Sequence, residues 1–339
     1  MFDSLEVLWL IDITIDANGN QVFWHTEGFS NEFDEWLISF NKLALEKGIS
    51  KETINNTMLK VKFLPKVIEY DRYQPEFYED TFTYITKRAN NKKVSIGLKT
   101  YKSNSELINQ VEKKFNVEKE LLLSLMGIET NFGKYLGKMD ILSSLATLSF
   151  DKRRSEFFTK ELIIALKLID NKKIKADELY GSWAGAFGNF QFMPSTILNN
   201  AIDYNKDSLI DLKSNEDSFA SAANYLFKMG WDNKNKCFEE VVLDEKIPVK
   251  YLNYSAKEIK NKKKLSFFKK YIKNYSNNLG DGDEVVAIVT PDKEIVENSN
   301  LYSPAYVIYD NYEIILKWNR SLRFALAVCT LKEKFTNEF

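Results

Sequence analysis

The clearest periodic pattern lies at residues 116–133, NVEKELLLSLMGIETNFG, where Leu121, Leu122, Leu125, Met126 and Ile128 recur at helical spacing and form one broad apolar face. Asn116 reads as the N-cap, Glu118 and Glu120 put negative charge in the first turn, and Gly133 reads as a left-handed stop. Glu129 then falls in the last turn of a core helix, among apolar neighbours and unpaired carbonyls. Both surroundings disfavour the carboxylate and predict a raised pKa, the condition for an acid that holds its proton near neutrality. The plainer reading is a solvated glutamate at a helix end, so its neighbours decide the matter.

Upstream, residues 30–88 are mainly helical in pattern: FDEWLISFNKLALEKG has apolar residues at helical spacing and a glycine stop, and Ser50 with Thr53 opens a second helix. VIEYDRYQPEF reads as a connector, followed by helices at 81–87 and 103–115. Downstream come a small-residue helix, a basic turn at Lys152, Arg153 and Arg154, and a long amphipathic helix. GSWAGAFGNFQFMPSTI at 181–197 packs glycines and small residues into a tight turn, with Pro194 at a helix start and Gln191 in the loop before it. A helix at 218–228 ends at Gly230. After Trp231 the composition turns to β-branched and aromatic residues. EEVVLDEKIPVKYL, DEVVAIVTP and PAYVIYDNYEIILKW read as strands, 256–275 as a lysine-rich helical insert, and 322–335 as a closing helix after a turn at Asn319.

The chain of 339 residues, 44% hydrophobic and 28% charged, is long enough for a large core. A net charge of -1 argues against a dedicated nucleic-acid binder. The aromatic share of 14% suits a sugar-binding cleft as well as a core. With one histidine, His25, a zinc site or a Ser-His-Asp triad is disfavoured. Cys237 and Cys329 leave two readings open, a disulfide in an oxidising compartment or two buried thiols. The amino terminus, with Asp12 and Asp16 inside its apolar run, does not have the form of a signal peptide, and no apolar run is long enough to cross a membrane. Asp203, Asn205, Asp207 and Asp211 resemble a calcium loop, but Ser208 replaces its glycine and Ser214 its bidentate glutamate, so an Asx-rich turn is the stronger reading.

GIETNFG, LATLSF followed by Arg153 and Arg154, GSWAGAFGNFQFMPS and ANYLFKMGW, in that order, resemble the lytic murein transglycosylase B family. VIEYDRYQPEF and KWNRSLRFALAV look like its flanking motifs, so the resemblance runs from about Phe29 to the end. It implies an α+β, mainly α fold, with a lysozyme-like helical core and a smaller β-containing domain before the C-terminal helix. The boundaries expected are an uncertain segment at 1–28, the helical domain at 29–232, the β-containing domain at 233–318 and the returning helix at 319–339. Members cut the β-1,4 bond between N-acetylmuramic acid and N-acetylglucosamine in peptidoglycan, leaving a 1,6-anhydro end.

By this resemblance Glu129 is the acid and then the base. Ser182, Gln191, Tyr225 and Asn319 match cleft residues that meet sugar, and Arg153 and Arg154 match a pair facing the far end of the substrate. No cofactor is required, and the loop's defects count against calcium. The implied partner is the glycan strand, the implied state a monomer, and the implied location the periplasm or cell envelope. Phe190, Trp318 and Phe324 depart from the family's usual glycine, tyrosine and tyrosine, which predicts lost hydroxyl hydrogen bonds with stacking kept. One acid suffices if it protonates the glycosidic oxygen and then takes the proton of the sugar's own C6 hydroxyl, with the N-acetyl carbonyl relieving the cationic intermediate. A hydrolase with a second carboxylate and a non-catalytic wall-binding scaffold remain the alternatives.

Overall fold

Local capping chemistry sets most helix boundaries in the computed structural model, which describes residues 14–15, 21–22, 27–72, 79–293 and 300–339. Strands β1 (Thr14–Ile15) and β2 (Gln21–Val22) pair antiparallel ahead of α1 (Glu27–Glu46). Asp12, Asp16 and His25 lie outside the described residues. The Ser50 side chain accepts from Thr53 N and opens α2 (Lys51–Thr57).

The connector expected at VIEYDRYQPEF is instead largely helix, α3 (Pro65–Arg72), with Pro65 at its first position; residues 73–78 of that stretch lie outside the described ones. Asp80 caps α4 (Thr81–Arg88) and Asn90 caps α5 (Asn91–Phe115). The latter begins well before the expected 103 because non-helical Asn104 interrupts it, so only its second half reads as one periodic run.

Asn116 does not open α6 (Lys119–Thr130). It closes α5 in the left-handed conformation, φ 53°, its N–H on Glu112 O, and Glu118 is the N-cap of α6. Asparagine serves either role, and the following Val117 and Glu118 supply the extended link. The stop of α6 is likewise Asn131, φ 51°, its N–H reaching Gly127 O, two residues before Gly133. Leu121, Leu122, Leu123 and Leu125 are fully buried, so α6 is a core helix.

Next come β3 (Met139–Asp140), α7 (Ile141–Phe150), α8 (Ser155–Asp170), β4 (Tyr180–Gly181), α9 (Pro194–Asn200) and α10 (Asn215–Met229). β3 and β4 pair antiparallel. At that crossing a Cβ on Gly137 would sit 2.0 Å from Gly181 O, so the close approach needs glycine there.

The carboxy-terminal part holds β5 (Phe238–Val241), β6 (Leu252–Asn253), β7 (Lys263–Lys264), α11 (Leu265–Phe268), β8 (Val285–Val289), β9 (Ala305–Ile308), α12 (Asp310–Trp318) and α13 (Leu322–Thr336). The strand order is β5-β9-β8-β6, with β8 and β6 parallel, the other pairs antiparallel, and β7 antiparallel to β8.

The side chains of the central strands alternate between two cores. Ala287, Val289, Tyr306 and Ile308 join the main helical core, while Val286, Ile288, Ala305 and Val307 join a second core with Leu265 and Phe268. Two expectations fail here. Only the first part of PAYVIYDNYEIILKW is strand; Tyr312, Ile315 and Leu316 are buried at helical spacing, and α12 forms. The expected lysine-rich helix is a short strand, one helical turn and a 3₁₀ turn, pinned by buried Leu265, Phe268 and Ile272.

α13 returns to pack on α4, α5 and α6. Of the two cysteine readings, the disulfide is the one formed: Cys237 beside β5 is bonded to Cys329 on α13. The architecture is mainly α with small sheets, a lysozyme-like helical core carrying a β-containing part.

Candidate active site

Glu129 is half-buried in the last turn of α6. The indole Nε1–H of Trp318, the last residue of α12, donates to Glu129 Oε1 at 2.9 Å. The departure to tryptophan therefore does not cost the carboxylate a donor: an indole N–H stands where a hydroxyl was expected to be missing.

The Trp318 ring is itself held by aromatic neighbours. Tyr225 lies 5.2 Å away, Phe192 5.3 Å and Phe190 6.3 Å between centroids, and Phe190 packs edge-on to Phe219 at 5.5 Å. Phe190 is thus a buried wedge behind the indole. Burial pushes the Tyr225 hydroxyl pKa up, so it stays protonated and able to donate through the neutral range.

The glutamine loop is tied to the same helix end. Thr130 Oγ1 donates to Asn189 O at 2.8 Å and accepts from Gly133 N at 3.0 Å. Gly188 turns beneath the loop with φ 78°, where a Cβ would lie 2.4 Å from Leu212 Cβ. Gln191 has φ 51°, and its Nε2 donates to Gly188 O and Leu136 O. The amide N–H groups thus fix the side chain, while its carbonyl oxygen is the acceptor that remains.

Ser182 Oγ accepts from Ala186 N at 2.9 Å, so this serine also closes the glycine turn. Asn319, the residue after Trp318, caps α12 through its N–H to Ile315 O.

Arg153 and Arg154 lead into α8, with Arg154 at its N-cap position. Both bear on buried Asp71 of α3, Arg153 Nε at 2.9 Å from Oδ2 and Arg154 through an ion pair with Oδ1. The neighbouring Tyr70 faces Trp183 at 6.5 Å, which links this basic cluster to the Ser182 turn. Glu129, Trp318, Tyr225 and Phe192 form one contact group, with Gln191 and Asn319 next to it in sequence.

Lys93 was not apparent from the sequence. It is half-buried at the start of α5, and its Nζ donates to Gly127 O at 2.6 Å, placing a cation on the carbonyl end of α6. Burial, and then the charge of Arg88, push the Lys93 pKa down.

The 203–214 loop satisfies itself. Asp203 accepts from Asp207 N and Ser208 N, Asn205 from Asp207 N, and Asp207 from Leu209 N, while Asp211 accepts from Lys213 N. Ser214, at the position of the bidentate ligand, is instead the N-cap of α10. The donor set does not fit calcium. No group of three or more His, Cys, Asp or Glu side chains is placed to hold a metal among the described residues.

Residues 32–333 match the family model of the transglycosylase SLT domain. Over 139 residues the chain is 36% identical to the membrane-bound lytic murein transglycosylase B of Escherichia coli K12, a stretch covering 41% of this chain and 38% of that protein. The chain thus aligns with well under two thirds of that relative's length. The structure is similar to SltB3 of Pseudomonas aeruginosa in complex with NAG-NAM-pentapeptide, with TM-score 0.78 and 29% identity over 90% of this chain and 79% of that one. It shares its fold with Escherichia coli Slt35 in complex with calcium, with TM-score 0.72 and 24% identity over 91% and 93% of the two chains. No helix among the described residues is long and apolar enough to cross a membrane. With residues 32–333 of its 339 matched by the family model, the chain belongs to the transglycosylase SLT domain family.

Proposed function

We propose that the protein is a lytic transglycosylase that cuts the β-1,4 bond between N-acetylmuramic acid and N-acetylglucosamine in peptidoglycan and leaves a 1,6-anhydro end. The observation that carries the reading is Glu129, half-buried at the end of α6 and oriented by the Trp318 N–H, beside the glutamine loop and Asn319.

Protonated Glu129 gives its proton to the glycosidic oxygen as the C1–O bond of muramic acid breaks, and the glucosamine portion leaves with a new hydroxyl. Positive charge develops at C1, and the adjacent N-acetyl carbonyl relieves it. The Glu129 carboxylate then takes the proton from the O6 hydroxyl while O6 bonds to C1, which returns the acid to its starting form. The attacking oxygen belongs to the same sugar, so its effective concentration is high and no second carboxylate is needed.

Gln191, Ser182, Tyr225 and Asn319 contact sugar in the cleft, and Arg153 and Arg154, steadied by Asp71, face the far end of the strand. All these groups come from one chain, which suits a monomer. The Cys237–Cys329 disulfide supports an oxidising location, the periplasm or cell envelope, where the substrate lies.

Mass spectrometry of purified sacculi digested with the protein tests the proposal. Anhydro-muramic ends are expected, and Glu129→Gln abolishes them. Hydrated reducing ends alone would identify a hydrolase, and binding without any product a scaffold.

A further inference from the structure

Charge is spread unevenly along the chain. Residues 246–275 hold ten lysines, no arginine and one acid, Glu258, a net +9 that leaves -10 on the rest of a chain whose total is -1. Local ion pairs take up little of this excess. Lys260 pairs with Glu258 at 2.9 Å, Lys264 with Asp283 at 2.8 Å, and Lys262 with Glu313. The other seven lysines are exposed and have no ion pair among the described residues.

Two of these lysines flank one strip of rings. Tyr251, closing the 3₁₀ turn Val249–Tyr251, meets Phe267 of α11 at 5.1 Å, and Phe267 meets Tyr271 at 6.0 Å. Lys250 lies over Tyr251 at 5.2 Å, and Lys270 over Phe267 at 5.3 Å and Tyr271 at 4.8 Å. The rings pack inward on the second core and are partly exposed, and Val249 next to them is 49% exposed. Cations alone would suit any polyanion. Rings and a valine set among them fit a surface that is anionic at its face and apolar just beneath, the headgroup layer of a membrane. Lysine without arginine agrees, because a mobile array of headgroups offers charge but no fixed geometry for a bidentate guanidinium. We infer that this face of the β-containing part docks on an anionic phospholipid surface, with the acidic remainder of the chain held off by its own charge. The docking is independent of the chemistry at Glu129.

Co-sedimentation of the whole protein tests the inference with two kinds of vesicle, phosphatidylcholine alone and phosphatidylcholine with one third phosphatidylglycerol. Binding is expected to the mixed vesicles only, and to weaken as salt rises. Lys250→Glu with Lys270→Glu is expected to weaken it by about a hundredfold or more. The same pair should leave the thermal midpoint and kcat/KM on soluble glycan strands unchanged. Lys51→Glu with Lys66→Glu makes an equal change in net charge at two exposed lysines on α2 and α3, and is expected to leave vesicle binding nearly intact.

Soluble inorganic polyphosphate supplies anionic charge without an apolar layer, so at matched charge it is expected to compete poorly with the mixed vesicles. Full displacement by polyphosphate would show a preference for charge alone and overturn the lipid surface. Absence of binding, equal binding to both kinds of vesicle, or wild-type binding by Lys250→Glu with Lys270→Glu overturns it as well. An equal loss in both pairs of variants would trace the effect to net charge and overturn the assignment to this face.

Discussion

Replacing Trp318 by phenylalanine isolates the hydrogen bond on which the proposed acid depends. The phenyl ring keeps an aromatic surface against Tyr225, Phe192 and Phe190 but removes the Nε1–H that reaches Glu129 Oε1 at 2.9 Å. A hydrogen bond to a charged group contributes about 1.5–3 kcal/mol. If that bond is needed to hold the carboxylate through the transition state, kcat falls by about 10- to 100-fold. A KM near that of wild type is expected, because the indole fixes the acid and does not itself carry the strand.

Trp318→Tyr restores a donor, the phenol O–H, and is expected to recover a large part of the lost rate; a role confined to packing would not distinguish the two rings in this way. The assay is the initial rate of anhydro-muropeptide release from sacculi, with thermal midpoints measured alongside. A Trp318→Phe enzyme with the wild-type rate and an unchanged midpoint would refute the reasoning.

Three further outcomes follow from the fold. The disulfide closes 92 residues, so Cys237→Ser with Cys329→Ser is expected to cost about 4–5 kcal/mol, read by urea unfolding, and thiol reductant is expected to lower only the wild-type midpoint. Asp71→Asn leaves two guanidinium groups without their shared buried carboxylate; these arginines are partly exposed, so the loss expected in unfolding is about 1–3 kcal/mol. Burial pushes the Asp217 carboxyl above its ordinary 3.8 despite opposing N–H bonds from Asp211 and Tyr204. Its folded pKa exceeds its unfolded one, so its stabilising contribution is fullest below that value and is lost as pH rises through the folded pKa. The margin of wild type over Asp217→Asn should therefore narrow as pH rises above the ordinary 3.8 in paired thermal melts.

What the sequence shows and what it hides divide along physical lines. The Glu129 helix is legible because its apolar period is local and strong, and Pro194, Ser50 and Gly230 announce themselves because each sets its own backbone. Asn116 misleads because asparagine suits the left-handed end of one helix as well as the start of the next, and only the packing of α5 chooses. α12 hides in a β-branched and aromatic stretch, where propensity favours strand but burial of Tyr312, Ile315 and Leu316 decides for helix. At the site, Glu129 and Gln191 are recognisable as motif residues. The Trp318 donor and the Lys93 cation are not, since each acts across a tertiary contact that no spacing encodes.

The remote position of Trp318 also gives the carboxy-terminal part a role in the chemistry. Trp318 lies 189 residues from Glu129, and closing such a segment on its own costs about 4–5 kcal/mol in chain entropy, more than the hydrogen bond returns. The contact persists because the cost is met elsewhere. β5 and β9 pair residue by residue from Phe238 to Val241, Asn311 Nδ2 donates to Asp232 O and Asn235 O, and the disulfide fastens Cys237 to α13, which packs on α6. These ties carry the start of α12 back to the helical core and leave its last residue at the acid. The sheet and disulfide thus deliver one indole to the end of α6, where its N–H sets the direction of one Glu129 oxygen.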